Sequence, residues 1–275
     1  MRSKLFVPCS RPELFAKALA GAADAVSFDL EDAVPEAGKD AARAALARVL
    51  RSDMLRTSAK TIIVRINAPD TPHFVADVAA LAGGRVDLVN VPKAEEPAAI
   101  ERIVARLDQA SVAAPVLINI ESARGLAAAA AIAGAHPRVA GLQVGLNDLC
   151  ASLGIDRRDP RHVHAALWTI RIASGTAGCF AYDGAWPELG DDEGFRREAE
   201  LARSLGFLGK SCVHPRQVPI ANAVFDPGGS IDAARRLIAA AEAAEREGRG
   251  AFVLEGRMVD RPVIDQARAL LAAAR

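Results

Sequence analysis

Two acidic residues stand where short apolar segments give way to helical patterns. Glu121 follows the apolar run Pro115–Ile120 in PVLINIESARG, and Asp148 follows Gly141–Gly145 in GLQVGLNDL. Carboxylates at one edge of neighbouring strands suit a hard cation such as Mg²⁺, which binds few protein oxygens and keeps positions open for substrate. The pair therefore predicts a metal-dependent enzyme.

The elements that would position these carboxylates follow from the alternation of short Val-, Ile-, Leu- and Phe-rich runs with longer, alanine-rich amphipathic stretches. This alternation is typical of repeated β-α units with a parallel sheet. The predicted strands are Lys4–Val7, Ala25–Leu30, Thr61–Ile66, Asp87–Val91, Pro115–Ile120, Gly141–Gly145, Gly178–Tyr182 and Phe207–Val213. Eight such units predict an α/β protein with a (β/α)₈ TIM-type barrel, with a doubly wound sheet as the alternative.

The segment DPGGS at 226–230 predicts a break between two parts of the chain. Residues 1–225 would form the barrel with the metal and substrate site. Residues 226–275 would form a C-terminal appendage of a helix, a hairpin around Phe252–Val259 and a last helix. An appendage of this size is expected to cover an active site or to contact a neighbouring subunit.

Composition excludes some classes of function. The 275 residues carry 34 Lys and Arg against 34 Asp and Glu, so no basic excess suggests a nucleic-acid partner. Cys9, Cys150, Cys179 and Cys212 form no CxxC pair, which predicts free thiols in a reducing, cytoplasmic setting. The most apolar stretch is short and alanine-rich, so no membrane segment is expected.

Polar residues gather where the predicted strands end, which in a barrel is the face that carries the chemistry. Any one of them could simply cap the following helix. Charge at most of the eight strand ends is harder to explain that way, because burying unpaired charges is costly. These residues are Ser10, Arg11, Asp29, Glu31, Asp32, Arg65, Asn67, Lys93, Glu121, Arg124, Asn147, Asp148, Asp183 and His214.

Several segments follow one another along nearly the whole chain in a characteristic order and spacing: KLFVPCSRPELFAKALAGAADAVSFDLEDAVPE, VRIN, LVNVPKAE, INIESARG, GLQVGLNDL, GKSCVHPRQV and EGRMVDRP. In this order and at these spacings they resemble the citrate lyase beta-subunit-like family of malyl-CoA, citramalyl-CoA and citryl-CoA lyases, within the phosphoenolpyruvate/pyruvate-binding barrels. The resemblance implies a TIM-type barrel that depends on Mg²⁺, with Mn²⁺ as an alternative ion. It also implies reversible cleavage of a 3-hydroxyacyl-CoA into acetyl-CoA and a 2-oxo acid.

The same resemblance assigns roles to residues around the metal. Glu121 and Asp148 would bind Mg²⁺ directly, and Glu31 and Asp32 would hold metal-bound waters. Arg65 and Glu121 would contact the substrate, where a fixed arginine suits a carboxylate and can stabilise a thioester enolate. An arginine that only anchors the barrel rim is the alternative.

Further roles fall outside the metal site. The resemblance places Ser10, Arg11 and Lys17 near the phosphates of CoA. It assigns Asp260 of GRMVDRP as the acid/base, delivered from an adjacent subunit of a trimer or a dimer of trimers; the alternative is an N-cap of the last helix. Lys93 and His214 are left outside the catalytic set.

Two departures and three hypotheses remain. Cys9 and Asn147 stand where relatives often have a glycine and an acidic residue, and a nucleophilic Cys9 is disfavoured because no histidine lies nearby in sequence. Besides the acyl-CoA lyase, the hypotheses are a metal-dependent aldolase of free 4-hydroxy-2-oxo acids and a non-catalytic subunit of a citrate lyase complex. The acyl group and a thioesterase side activity are left open.

Overall fold

Eight parallel strands form a barrel in the computed structural model, which describes residues 1–273. The strand order is β7-β6-β5-β4-β3-β2-β1-β8, and every neighbouring pair is parallel. The strands are β1 Ser3–Pro8, β2 Ala25–Asp29, β3 Thr61–Arg65, β4 Leu88–Val91, β5 Val116–Ile120, β6 Val139–Val144, β7 Phe180–Tyr182 and β8 Lys210–Cys212. The predicted TIM-type barrel is confirmed, and the doubly wound alternative is wrong.

Helices follow the strands and pack on the outside of the sheet. They are α1 Phe15–Ala20, α2 Lys39–Leu50, α3 Asp53–Arg56, α4 Phe74–Leu81, α5 Pro97–Gln109, α6 Ala123–Ala127, α7 Ala129–Ala133, α8 Leu146–Leu153, α9 Pro160–Thr176, α10 Asp192–Ser204 and α11 Val218–Val224. Short 3₁₀ turns lie at Pro12–Leu14, Glu36–Gly38 and Pro215–Gln217. Outward-facing strand residues such as Val26, Val64 and Ile118 are fully buried against these helices. This burial is the main stabilising term of the barrel.

The barrel closes between its two shortest strands. Asp183, directly after β7, forms a parallel bridge with Lys210 of β8, and the Asp183 N–H donates to the Gly209 carbonyl at 2.9 Å. The Lys210 ammonium is fully buried and pairs with Asp183 at 2.6 Å and with Glu198 of α10 at 2.7 Å. A buried charge needs such partners, because desolvation would otherwise outweigh any gain. The Lys210–Asp183 ion pair therefore adds to the backbone hydrogen bonds that close the barrel.

A second compact unit, Asp226–Arg275, follows the barrel unit Met1–Phe225. It contains helix α12 (Gly228–Arg246), an antiparallel hairpin of β9 (Phe252–Leu254) and β10 (Arg257–Val259), and helix α13 (Arg261–Ala273). Glu255 and Gly256 join the hairpin strands with φ of 51° and 78°. Two consecutive positive φ values are those of the turn that matches the twist of a two-residue hairpin.

Two further findings bear on the composition. Among residues 1–273, no helix is both long enough and apolar enough to cross a bilayer. All four cysteines are free, and Cys9, Cys150 and Cys212 are buried. Burial raises the pKa of the Cys9 thiol well above its ordinary value. A thiol in that state is a poor nucleophile, which agrees with its exclusion from the chemistry.

Candidate active site

Glu121 lies directly after β5 and is almost completely buried. Its Oε1 accepts a hydrogen bond from the Lys93 backbone N–H at 2.7 Å, and its Oε2 accepts one from the Asn119 side-chain amide. Burial, together with the charges of Glu31 and Asp148, raises the pKa of Glu121 to about 8. A carboxylate in this position gains from a nearby cation, because the cation restores its charged form.

Asp148 lies in the first turn of α8, one strand further round the barrel. Within residues 1–273 its carboxylate has no hydrogen-bond or ion-pair partner, although it is close enough to contribute to the shifted pKa of Glu121. Both side chains line one cavity of about 400 Å³. The two predicted metal ligands are thus brought together at the carboxyl ends of β5 and β6.

Gly145 makes this arrangement sterically feasible. A Cβ atom built at residue 145 would lie 2.7 Å from Oε2 of Glu121, closer than real side chains approach. The conformation of Gly145 is ordinary, with a φ of −104°, so the need for glycine is one of space. The absence of a side chain lets the loop before α8 pass directly over the carboxylate of Glu121.

The chemistry of the donor set fits a hard cation. Glu121 and Asp148 offer carboxylate oxygens, and Glu31 adds negative charge nearby. Within residues 1–273 no group of three or more His, Cys, Asp or Glu side chains is arranged as a metal site. Two protein ligands with the remaining positions open is the usual arrangement for Mg²⁺, which keeps water and substrate in its coordination shell.

Arg65, at the end of β3, is held by carboxylates on three sides. Its Nε and Nη2 atoms donate to the two oxygens of Asp29, both at 2.7 Å, and its Nη1 lies 2.8 Å from Glu31 Oε2 and 3.5 Å from Asp32. The guanidinium also stacks 4.9 Å from the ring centre of Phe6. Arg65 therefore anchors the rim and also lines the cavity, and its contact with substrate stays a prediction.

Lys93 is a residue whose importance the sequence did not show. Its φ is 53°, a left-handed conformation that is unfavourable for a residue with a Cβ. This conformation directs its N–H to Glu121, while its Nζ donates to Glu31 Oε1 at 2.7 Å. Although partial burial opposes it, the ion pair with Glu31 raises the pKa of Lys93. Strained residues concentrate at functional sites, where the surrounding structure holds them.

Lys39 of α2 is a second residue whose importance the sequence did not show. Its buried ammonium donates to the carbonyl oxygens of Leu30 and Glu31 at 2.7 and 2.8 Å and to Asn67 Oδ1 at 2.7 Å. These three bonds satisfy its three donors. Lys39 therefore fixes the turn after β2 that carries Glu31 and Asp32.

A larger cavity of about 720 Å³ adjoins the first, since both are lined by Phe6, Pro8 and Val213. Its wall is mostly apolar, with Leu14 and Val218 among its residues, and it includes Arg11 and Lys17. Ser10, the third residue predicted to lie near CoA, does not line this cavity. It is exposed, and its hydroxyl donates to the Ala33 carbonyl at 3.3 Å.

His214 and Asn147 each form a hydrogen bond that gives the residue a structural role. His214 caps the 3₁₀ turn Pro215–Gln217, since its Nδ1 accepts from the Arg216 N–H at 3.2 Å. Asn147 accepts from Arg157 Nε at 3.1 Å, and Arg157 also forms two bonds, of 2.6 and 2.9 Å, with Glu198. The first turn of α8 is thereby tied to the buried charges that close the barrel.

Asp260 lies in the C-terminal unit, immediately before α13. Its backbone carbonyl accepts from the Ile264 N–H at 3.1 Å, as expected for the residue at the start of a helix. Its half-buried carboxylate has no hydrogen-bond partner within residues 1–273. The side chain thus does not act as an N-cap here, and its role as acid/base stays a prediction.

Comparison with known proteins identifies the family. Residues 2–215 match the profile of the family described as HpcH/HpaI aldolase/citrate lyase. This chain belongs to that family. It is 40% identical to a (3S)-malyl-CoA thioesterase of Cereibacter sphaeroides, over 99% of this chain and 94% of the relative. It is 38% identical to an L-malyl-CoA/beta-methylmalyl-CoA lyase of the same species, over 98% of this chain and 93% of the relative.

A solved structure is similar over the full length. The CitE protein of Mycobacterium tuberculosis, in complex with magnesium, acetoacetate and coenzyme A, matches with a TM-score of 0.79 and 38% identity. The match covers 100% of this chain and 99% of that one. The predicted membership of the citrate lyase beta-subunit-like family and the predicted class of carbon–carbon lyase are confirmed.

Proposed function

We propose that this protein is a Mg²⁺-dependent lyase that reversibly cleaves a 3-hydroxyacyl-CoA of the malyl, citramalyl or citryl type into acetyl-CoA and a 2-oxo acid. The observation that carries the proposal is the joining of two cavities. Glu121 and Asp148 line the smaller one, and Arg11 and Lys17 line the larger one, which adjoins it. The larger cavity suits an apolar pantetheine arm with phosphates at a cationic end.

In the cleavage direction the bond between C2 and C3 of the acyl chain breaks. The C3 hydroxyl loses its proton and becomes the carbonyl of the 2-oxo acid, while the bonding electrons pass to a thioester enolate that takes up a proton at C2. Mg²⁺ held by Glu121 and Asp148 would supply Lewis-acid polarisation of the C3 oxygen. Arg65, fixed by Asp29, places a positive charge at the cavity wall, where it favours the negative charge of the substrate.

Asp260 is proposed to exchange the proton with C2, from an adjacent subunit of a homo-oligomer. Its carboxylate is not used within its own unit, which leaves it available for this task. Mixed oligomers of Glu121→Ala and Asp260→Ala chains test the proposal. If the site is shared, co-assembly of the two inactive variants should restore about a quarter of the activity, because random mixing leaves that share of sites intact. Co-assembled oligomers without activity would contradict a shared site.

The central experiment measures acetyl-CoA and 2-oxo acid released from the three thioesters, with Mg²⁺ and with a chelator. We expect cleavage of at least one thioester, lost on chelation, and a loss of at least about 100-fold in kcat/KM for Glu121→Gln. Glu101→Gln, an exposed position on α5, is the matched control and should behave like wild type. Cleavage of a free 4-hydroxy-2-oxo acid, with no thioester cleaved, would favour the aldolase instead.

Hydrolysis of the thioester is a second candidate function, favoured by the 40% identity to a (3S)-malyl-CoA thioesterase. The products separate the two reactions. A lyase acting on malyl-CoA yields glyoxylate and acetyl-CoA, whereas a thioesterase yields malate and free CoA. Free thiol release without acetyl-CoA would show that hydrolysis is the main activity.

A further inference from the structure

A polar layer crosses the barrel interior at the candidate metal site, and two of its members line the same cavity as Glu121 and Asp148. It consists of Lys4 on β1, Asn119 on β5 and Gln143 on β6, all of them buried. The Lys4 side chain is completely buried, with Nζ 4.5 Å from the ring centre of Phe6. Among residues 1–273 Lys4 has no carboxylate at ion-pair distance. Its hydrogen-bond acceptor is Oε1 of Gln143.

The three side chains form a chain of hydrogen bonds with one direction. Lys4 Nζ donates to Gln143 Oε1, Gln143 Nε2 donates to Asn119 Oδ1 at 3.1 Å, and Asn119 Nδ2 donates to Glu121 Oε2. An amide group has a donor end and an acceptor end, so a donor below Gln143 sets the orientation of both amides. As an ammonium, Lys4 can only donate; burial and the Arg65 charge lower its pKa, and the uncharged amine keeps two N–H donors beside one acceptor lone pair.

The direction of these hydrogen bonds matters where the series ends, at Glu121. If Asn119 were rotated by half a turn, its Oδ1 would face Oε2 of Glu121, and in the ionised form of Glu121, which is the form that binds a cation, two acceptors would repel each other. With the observed orientation, Asn119 holds one oxygen of Glu121 and the Lys93 N–H holds the other. Turning the carboxylate of Glu121 would therefore break both bonds.

We propose that Lys4, Gln143 and Asn119 form a directional relay that positions the carboxylate of Glu121 for metal binding. The inference rests on the proposed role of Glu121 as a metal ligand. Gln143 and Lys4 act as positioning residues, because neither hydrogen-bonds Glu121. Groups that orient a ligand in this way contribute about 10- to 100-fold to metal affinity in other sites.

Gln143→Glu is the sharpest test. The new carboxylate has nearly the same size and still accepts from Lys4, but in its ionised form it cannot donate to Asn119. We expect the Kd for Mg²⁺, measured by calorimetry on the metal-free protein, to rise at least about tenfold. The kcat for thioester cleavage should fall more than the KM changes. Lys4→Met is the second variant, in case Gln143→Glu does not fold, and should weaken Mg²⁺ binding in the same direction.

The control is Ser27→Ala, on the neighbouring strand β2. Ser27 is fully buried, and its hydroxyl has no hydrogen-bond partner among the described residues, so it lies outside the relay. Its Kd for Mg²⁺ should stay within about twofold of wild type. Folded Gln143→Glu and Lys4→Met variants that bind Mg²⁺ as tightly as this control would overturn the relay. Wild-type protein that takes up no Mg²⁺ would instead overturn the proposed function, and the relay with it.

Discussion

Magnesium binding should release a proton, because the metal-free site keeps Glu121 protonated at neutral pH. Burial, and then the charges of Glu31 and Asp148, raise the pKa of Glu121 to about 8. At pH 7 a carboxyl group with that pKa is about nine-tenths protonated, and at pH 9 about one-tenth. The cation needs the ionised form, so the apparent affinity for Mg²⁺ should rise about 50-fold from pH 6 to pH 8 and then level off.

Calorimetry in buffers of different ionisation enthalpy measures the released proton directly. At pH 7 the wild-type protein should release about 0.9 proton per Mg²⁺ bound, set by the fraction protonated beforehand. Glu31→Gln removes a neighbouring charge and lowers the pKa of Glu121, so it should release less. Equal affinity at pH 6 and pH 8, without proton release at pH 7, would refute the assignment of Glu121 as a protonated ligand.

The raised pKa of Glu121 also determines how the stability of the metal-free protein changes with pH. The pKa of Glu121 is raised from 4.5 to about 8, so the metal-free folded protein binds more protons than the unfolded chain between these values. The contribution of Glu121 to the free energy of unfolding is therefore fully present below pH 4.5 and declines as the pH rises towards 8. The decline should be absent from Glu121→Gln, as pH-dependent urea unfolding of the two metal-free proteins would show.

Three substitutions extend the reasoning to other positions. Gly145→Ala places a methyl group against Glu121 Oε2, so calorimetry should show Mg²⁺ affinity reduced about tenfold with an unchanged circular dichroism spectrum; unchanged affinity would mean that the loop yields. Lys210→Met leaves the buried Asp183 without a cation and Glu198 with Arg157 alone, so urea unfolding should show a loss of about 3–5 kcal/mol. Ser111→Gly relieves an exposed left-handed residue with a φ of 56° and should add about 1 kcal/mol; a loss would count against strain there.

The strands that carry Glu121 and Arg65 could be predicted from the sequence, because β-branched apolar runs bounded by polar residues indicate buried parallel strands. The predicted Pro115–Ile120 corresponds to Val116–Ile120, and Thr61–Ile66 to Thr61–Arg65. At β6 the prediction began at Gly141, but the strand starts at Val139. At β8 the predicted Phe207–Val213 shrinks to Lys210–Cys212. Gly141 interrupts the apolar pattern of β6 without ending the strand, whereas β8 begins only after Gly209, which the predicted range had included.

The site was predictable only where side chains follow strand ends. Glu121 and Asp148 meet in one cavity because β5 and β6 are neighbours in a parallel sheet. The role of Lys93 depends on its positive φ. A lysine gives no indication of this conformation in the sequence. Asn119 and Gln143 did carry a signal. Each is a polar residue within an apolar strand, on the side of the strand that faces the barrel interior, and buried amides need partners.

The join between β7 and β8 has a consequence for how this scaffold can diversify. Each of these strands has three residues, and the two segments are joined by three backbone hydrogen bonds and one buried ion pair, Lys210–Asp183. The segments leaving them carry Ala185 and Val213, which face the smaller cavity. Replacements at these two positions would alter the width of the substrate chamber while leaving the other seven strand pairings intact. We therefore expect homologues that accept bulkier acids to differ first at Ala185 and Val213.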